Sequence, residues 1–292
     1  MFMKAWAHLS RDGVISLPKS LTPSLDRSLV KDLTELDEQM IEVMRSFRVD
    51  KNNIRSLSRN PPGETGDDLV LATLVLSQDE VKRLWERVGR ESDQSLLNLS
   101  TFVLAYAYTW TCLVKARGGD GERAVGLVLG GDMRTRLDPP LPTTYFGNCI
   151  CSVGCFKRKA REFAGEKGFV TAVELISDMV KSLSSPGMIM RIAQAFATSH
   201  HSRGESSQFG SVSGSNRFGL YEMDFGWGGP VKVDSISIRG DDISLADTRD
   251  QSGGVQIGMC MKKTQMDIVF SVFNNGLQNS ASVGRENLLC KK

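Results

Sequence analysis

Apolar and polar positions along the 292-residue chain follow two periods, which divide most of it into helices and strands. Apolar residues three and four apart predict helices, and alternating or short continuous apolar runs predict strands. The predicted helices cover residues 1–8, 33–44, 77–89, 100–115, 169–183, 188–197 and 264–276. The predicted strands cover residues 69–76, 124–129, 148–154, 231–238 and 255–261. Strands that alternate with helices in this way predict the α/β class.

Three segments carry further local signals. Ser77 and Glu80 form a capping box, so a helix is predicted to begin there, and Gly89 suits its C-terminal end. The segment 100–115 is apolar nearly all round, which predicts a buried helix. The segment 199–216 is rich in serine and glycine, which predicts a mobile loop. The buried stripe of the first of these helices is predicted to be Val81, Leu84, Trp85 and Val88.

One short stretch, Asp224-Phe225-Gly226-Trp227-Gly228, combines two glycines with two large rings. Glycine allows a positive φ or a close backbone approach on either side of the indole. Phe225 and Trp227 are predicted to anchor the stretch in a core, since each brings much apolar area. Asp224 is predicted to accept hydrogen bonds from nearby backbone N–H groups or to pair with an arginine. A simple turn with buried aromatics explains the same residues, so this stretch alone does not identify a family.

A second stretch extends from Asp132 to Pro142 and continues as Tyr145-Phe146-Gly147-Asn148-Cys149. Together the two stretches resemble the BAHD acyltransferases of plants, and the second resembles the branch that acylates anthocyanins, flavonoid glycosides and phenolic glucosides. Residues 23–27 are similar to the family's linker, and residues 257–277 to its C-terminal strand and helix. The resemblance covers essentially the whole chain.

The resemblance implies a fold of two α/β domains, each with a mixed sheet, and a tunnel between them that admits coenzyme A from one side and the acceptor from the other. On this basis residues 1–16 are a remnant of the N-terminal domain, which is otherwise largely missing. Residues 17–67 are a linker and connecting helix. Residues 68–292 are the C-terminal acyltransferase domain, in which residues 210–230 lie near the domain interface.

The function implied by the resemblance is acyl transfer from a coenzyme A thioester to a hydroxyl group. The expected donor is malonyl-CoA or another acyl-CoA, and the expected acceptor is a sugar hydroxyl of a phenolic or flavonoid glucoside. Because the thioester supplies the activation, no metal and no bound cofactor are expected. The alternative is an inactive remnant that at most binds an acyl-CoA, an acceptor or a full-length relative.

The general base of the family is the histidine of a His-x-x-x-Asp-Gly motif, and residues 8–13 match it literally as His8, Asp12 and Gly13. In the family, a helix resembling residues 1–6 follows that motif, whereas here it precedes the match. We therefore interpret His8 as a histidine near a helix C-terminus, and we assign no catalytic residue. If the first domain is missing, Phe2 and Trp6 lose their partners, and the exposed apolar surface predicts self-association.

Arg217 occupies the position of an arginine that commonly precedes the Asp224 stretch in the family. Its guanidinium suits the free carboxylate of a malonyl group, because arginine binds carboxylates with two parallel hydrogen bonds. The alternative is a structural ion pair with Asp224 or Glu222. The sequence alone leaves both possibilities open.

Other polar residues are assigned structural roles. Arg134 and Arg136 are predicted to shape the turn before Pro139, one of them by pairing with Asp132 or Asp138. Asn148 is predicted to hydrogen-bond to backbone groups. A basic loop, predicted to be solvated rather than bound to coenzyme A phosphates, contains Lys115, Arg117 and Arg123.

Composition excludes several classes. The formal net charge of +2 indicates no special attraction to nucleic acid or to membranes. No apolar run approaches the ~20 residues of a membrane helix, and the N-terminus lacks a signal-peptide pattern, so a cytoplasmic protein is expected. His200 and His201 lie in the serine-rich loop and are expected to be solvated. A metal site that combines them with Cys149, Cys151 and Cys155 matches no common zinc spacing, and buried free thiols are expected instead.

Overall fold

The computed structural model describes residues 1–13, 16–30, 38, 68–92, 99–185, 188, 208–235 and 241–289, with the side chains of the last helix described to residue 278. The helices are α1 Phe2–Asp12, α2 Gln78–Glu91, α3 Thr101–Arg117, α4 Ala160–Ala164, α5 Gly168–Ser182 and α6 Lys263–Leu289. The strands are β1 Leu69–Leu76, β2 Ala124–Asp132, β3 Ile150–Lys159, β4 Gln208–Ser215, β5 Ile243–Asp247 and β6 Val255–Lys262.

Within the described residues, the strands form one six-stranded sheet in the order β1-β6-β5-β4-β2-β3. The central strands β2, β4 and β5 run parallel, and the remaining neighbours are antiparallel. The sheet is therefore mixed, which confirms the predicted fold class.

Helix α3 forms the centre of the core. It packs against α5 and α6 and also contacts β4 and β6. The buried Tyr106 hydroxyl donates to the carbonyl oxygen of Val128 on β2 at 3.0 Å. Gly210 on β4 has to be a glycine, because a Cβ there would lie 2.6 Å from the ring of the fully buried Trp110. The prediction of a helix that is buried all round is confirmed.

Helix α2 begins where the sequence predicted, but it ends later than predicted. Ser77 Oγ accepts from Glu80 N at 3.3 Å, and the Glu80 carboxylate accepts from Ser77 N at 2.8 Å. Gly89 lies inside the helix, which ends when Ser92 N donates to Val88 O. Trp85 is 52% exposed, so its place in the buried stripe was wrong. The amphipathic pattern puts Trp85 at the edge of the apolar face, where packing is incomplete.

The largest correction concerns the predicted loop 199–216. Residues Gln208–Ser215 form the interior strand β4, Asn216 follows in a turn, and residues 199–207 lie outside the described residues. Glycine and serine suit this strand because α3 approaches it closely on one side. The strand β5 was not predicted, although all five of its residues are buried. Helix α6 continues through Gly276, which was predicted to end it.

Several predictions cannot be compared with the structure. The helices predicted at 33–44 and 188–197 fall outside the described residues except at positions 38 and 188, as do His200 and His201 entirely. Of the strand predicted at 231–238, only residues 231–235 are described, and they are not part of a strand.

Candidate functional site

The loop 224–228 is held by its aspartate. Asp224 Oδ1 accepts from Gly226 N at 2.8 Å and from Gly228 N at 2.9 Å. Gly226 and Gly228 have φ angles of 110° and 92°, which only glycine adopts readily. Asp224 therefore accepts backbone hydrogen bonds, one of the two arrangements predicted from the sequence.

The aromatic residues of this loop are less buried than predicted. Trp227 is 93% exposed, so the expectation that it anchors a core was wrong. The two positive-φ glycines turn the backbone on either side of Trp227, which leaves the indole on the outside of the turn. Phe225 is half-buried and contacts the ring of Trp6 edge-on, with centroids 5.2 Å apart.

The second stretch, Asp132 to Cys149, is organised by Arg134. Its guanidinium donates to Asp132 Oδ1 at 2.9 Å, to Tyr145 O at 3.2 Å and to Gly147 O at 2.7 Å. This confirms the predicted pairing with Asp132 and the structural role. Arg136 donates to Ser184 Oγ and to the backbone oxygen of Asp132, which is also structural.

Residues upstream of the sheet are attached to the same stretch. Ser24 N donates to Thr144 O at 2.9 Å, and Phe146 N donates to Ser24 O at 2.8 Å. The guanidinium of Arg27 lies over the ring of Tyr145, 5.2 Å from its centroid. Asn148 is exposed and makes no side-chain hydrogen bond with the described residues, so the predicted backbone contact is not found.

Helix α1 connects the two stretches. Phe2 lies 6.0 Å from the ring of Phe146 and 6.1 Å from Trp6, and Trp6 contacts Phe225. We call the four residues Phe146, Phe2, Trp6 and Phe225 the aromatic row. Phe2 and Trp6 are 58% and 51% exposed, as the sequence analysis expected of this apolar surface. A second contact is ionic, because Lys4 Nζ binds Glu222 Oε2 at 2.8 Å.

His8 lies within α1, one turn before its end. Its Nδ1 is 2.9 Å from Asp12 Oδ2, a contact that residues four apart in a helix make readily. Arg11 also binds Asp12, and this hydrogen bond holds the pKa of the Asp12 carboxyl below its usual range. Gly13 ends the helix at a φ of 60°. The absence of a catalytic role for His8 stays a prediction.

Arg217 is in the turn that follows β4, and neither predicted partner binds it. Glu222 is occupied by Lys4, and Asp224 by two backbone N–H groups. No acidic side chain among the described residues forms an ion pair with Arg217. The exposed side chain borders a cavity of about 200 Å³.

The basic loop after α3 is built into the fold. Arg117 binds Asp241 at 3.0 Å, and Arg123 donates to Gly118 O, Val114 O and Gln208 Oε1. Burial lowers the pKa of Arg123. The expectation of a merely solvated side chain was wrong for Arg123, because backbone carbonyls at the end of α3 need donors, whereas Arg117 is exposed and forms an ion pair.

Burial raises the pKa values of four of the five described cysteines. Burial raises the pKa of Cys151 to about 11 and that of Cys112 to about 12. Burial also raises the pKa values of Cys149 and Cys155. Among the side chains that the structure describes, no three His, Cys, Asp or Glu are grouped so that they could hold a metal ion. No helix in the described ranges is long and apolar enough to span a membrane.

Comparison with known proteins defines the class. A family model described as the transferase family matches residues 1–275. The fold is similar to the crystal structure of vinorine synthase, with a TM-score of 0.58 and 18% identity over 91% of this chain and 56% of that one. It is also similar to F. sporotrichioides TRI101 complexed with coenzyme A and T-2, with a TM-score of 0.53 and 16% identity over 70% of this chain and 49% of that one. The chain belongs to this transferase family, that of the BAHD acyltransferases.

The chain is also similar in sequence to three named acyltransferases of Arabidopsis thaliana. The chain is 57% identical over 279 residues to phenolic glucoside malonyltransferase 2 of Arabidopsis thaliana, covering 95% of this chain and 61% of that protein. It is 42% identical over 282 residues to the malonyl-CoA:anthocyanidin 5-O-glucoside-6''-O-malonyltransferase of the same plant, covering 95% and 62%. Agmatine coumaroyltransferase of that plant is 41% identical over 282 residues, covering 95% and 62%. The chain thus spans about three fifths of the length of these relatives.

Proposed function

We propose that this chain belongs to an acyl-CoA-dependent O-acyltransferase that moves a malonyl group from malonyl-CoA to a sugar hydroxyl of a phenolic or flavonoid glucoside. The observation that carries the proposal is 57% identity to a phenolic glucoside malonyltransferase over 95% of the chain. A cytoplasmic location is part of the same proposal. No observation favours the alternative of an inactive protein.

In such a reaction, a base takes the proton of the sugar hydroxyl while its oxygen attacks the thioester carbonyl, and the thiolate of coenzyme A leaves. Hydrogen-bond donors stabilise the tetrahedral oxyanion in between. His8 lies inside α1, whereas the base motif that the family resemblance implies precedes this helix. We propose that the base comes from a part of the relatives' length that these 292 residues do not span.

The proposed domain division follows from the same idea. Residues 1–16 belong to the base-bearing domain, residues 17–67 connect the domains, and residues 68–292 form the C-terminal domain. The contacts of Lys4 with Glu222 and of Trp6 with Phe225 support an interface near residues 210–230. The exposed side of the aromatic row would then face the remainder of the first domain.

Arg217 is proposed to bind the free carboxylate of the malonyl group. Its guanidinium has no acidic partner among the described residues and borders a cavity, which is the arrangement that a carboxylate-binding arginine requires. A neutral acyl group has no carboxylate and would gain no binding energy from this guanidinium.

A second candidate is transfer of an aromatic acyl group to an amine, since a coumaroyltransferase that acts on agmatine is 41% identical. Arg217 distinguishes the two candidates, because a coumaroyl group carries no carboxylate to pair with it.

A matrix of donors and acceptors tests the proposal. The chain would be fused to the remaining part of phenolic glucoside malonyltransferase 2 and supplied with malonyl-CoA or coumaroyl-CoA and with a phenolic glucoside or agmatine. We expect product from malonyl-CoA and the glucoside, and an Arg217→Gln variant should raise KM for malonyl-CoA more than for acetyl-CoA. Product only from coumaroyl-CoA and agmatine would establish the second candidate instead.

A further inference from the structure

A cavity lies between two turns at one end of the sheet. The first turn follows β4, the second joins β5 to β6, and α1 closes one side with Lys4. The cavity is about 200 Å³ in volume. Its polar side chains are those of Lys4, Asn216, Arg217, Glu222, Asp247 and Gln251, with glycine backbone between them.

The size of the cavity limits what it can hold. Pockets for complete cofactors and drug-sized ligands are larger, about 300–1,000 Å³. Coenzyme A and an entire phenolic glucoside are therefore too large, whereas one sugar ring or one short acyl group is small enough.

The charges of the lining favour a neutral ligand in the body of the cavity. Lys4 and Glu222 bind each other at 2.8 Å and neutralise one another. Arg217 and Asp247 add one charge of each sign, so the formal charge of the lining is zero. An anion in the body of the cavity would meet Asp247 as well as Arg217, and a cation would meet Arg217 as well as Asp247. A ligand with hydroxyl groups avoids this conflict, because a hydroxyl both donates and accepts.

Asp247 supplies the strongest acceptor. The residue is only 8% exposed, and one carboxylate oxygen accepts from Leu220 N at 3.2 Å. No donor among the described residues binds its other oxygen. That second oxygen is reachable by solvent, and a sugar hydroxyl can replace the water there as its donor. The side-chain amides of Asn216 and Gln251 border the same space and can donate as well as accept.

We propose that this cavity is a subsite for the hexose ring of a glycoside, with Asp247 accepting hydrogen bonds from sugar hydroxyls. Arg217, at the exposed rim, binds the carboxylate of a malonyl group carried by that sugar. The cavity thus recognises the malonylated sugar as a unit, the hexose by Asp247 and the acyl group by Arg217. The choice of a hexose rests on the function proposed above.

Equilibrium binding to the 292-residue chain tests this subsite without requiring turnover. The probes are methyl glucoside, its 6-O-malonyl and 6-O-acetyl esters, and free malonate, measured by ligand-observed NMR titration. The variants are Asp247→Asn, which keeps an acceptor for Leu220 N, and Asn216→Ala in case the first is unstable. The controls are the exposed substitutions Asp267→Asn on α6 and Arg90→Gln on α2.

We expect methyl glucoside to bind wild type and both controls equally, and to bind Asp247→Asn about tenfold more weakly. The malonyl ester should bind about fivefold tighter than the acetyl ester, the effect of one exposed ion pair, and Arg217→Gln should abolish that difference only. The subsite is refuted if no sugar probe binds, if binding survives in both Asp247→Asn and Asn216→Ala, or if malonate alone binds as tightly as its ester. Because no step of this test needs catalysis, its failure and a failure of the turnover experiments are separate results.

Discussion

Asp224 fixes the shape of its loop through a single carboxylate oxygen. That oxygen accepts from Gly226 N and Gly228 N, at 2.8 and 2.9 Å. An Asp224→Ala substitution leaves both N–H groups without this partner and should lower the free energy of unfolding by about 1–2 kcal/mol. Asp224→Asn keeps an uncharged acceptor and should lose less than half as much, as measured by urea denaturation. Equal stability of Asp224→Ala and wild type would show that the loop is held by other contacts.

Thiol ionisation provides a second residue-scale prediction. An ordinary thiol here ionises near pH 9.0, whereas burial raises the pKa of Cys151 to about 11 and that of Cys112 to about 12. Between the ordinary and the raised pKa, a thiol is ionised in the unfolded chain but still protonated in the folded one. The free energy of unfolding must therefore fall as the pH rises through this range. Alkylation depends on the thiolate, so both residues should react far more slowly in the folded chain than in urea at pH 8.

Mass mapping of iodoacetamide-labelled peptides across pH 7–11 would measure this order of reactivity. The same peptides labelled in urea are the control. Labelling of Cys151 that reaches its plateau near pH 9 in the folded protein would contradict the assignment.

At the residue scale, hydrogen-bond partners could be predicted from the sequence more reliably than the exposure of side chains. The carboxylate of Asp224 lies two and four residues from its partners, so local geometry alone suffices to predict the contacts. The exposure of Trp227 depends on what lies beyond the turn, which local sequence does not contain. The same limit explains why the exposure of Trp85 was not predicted, and why Arg217 has no acidic partner among the described residues.

Helix α2 yields a prediction at the scale of an element. Gly89 was predicted to be its C-terminal cap, but the helix continues for two more residues, to Glu91, and a Cβ on Gly89 would meet no atom within 4 Å. Gly89→Ala should therefore raise the free energy of unfolding by about 0.5–1 kcal/mol, because alanine loses less backbone entropy in a helix. Thermal and urea denaturation of the variant would measure this.

The matched control for Gly89→Ala is Gly13→Ala at the end of α1. Gly13 has a φ of 60° and a true capping role, so alanine there should destabilise its helix. Destabilisation by Gly89→Ala would mean that the helix ends where the sequence first suggested.

Elements with strong apolar periodicity were predictable, and the interior strands β4 and β5 were not. β4 consists largely of serine and glycine because Trp110 packs against Gly210 and Asp242 binds Ser211. These requirements come from neighbouring elements, so the composition resembles that of a loop. β5 has only five residues, too few for a clear period.

At the scale of the whole molecule, the exposed part of the aromatic row is the most consequential surface. Phe2 and Trp6 are more than half exposed, on the helix that joins the two sequence stretches. We expect the 292-residue chain to self-associate and to bind an environment-sensitive apolar dye. The double substitution Phe2→Ser and Trp6→Ser should reduce both effects, measured by light scattering and dye fluorescence. Trp85→Ser, which removes an exposed ring from a different surface, should reduce them less.

A monodisperse monomer with no dye binding would contradict this prediction about the surface. The family resemblance was enough to predict the mixed sheet and the class of protein. It could not predict that α1 contacts both stretches at once, because that arrangement depends on tertiary packing of residues more than a hundred positions apart.

We infer that this chain carries the acyltransferase fold while its general base is not His8. The most direct measurement is turnover with malonyl-CoA and a phenolic glucoside, by the 292-residue chain, its His8→Ala variant, and both forms extended with the upstream part of phenolic glucoside malonyltransferase 2. We expect product from both extended forms at similar rates and none from either unextended form. Product from the unextended chain that disappears in His8→Ala would contradict it and make His8 the base.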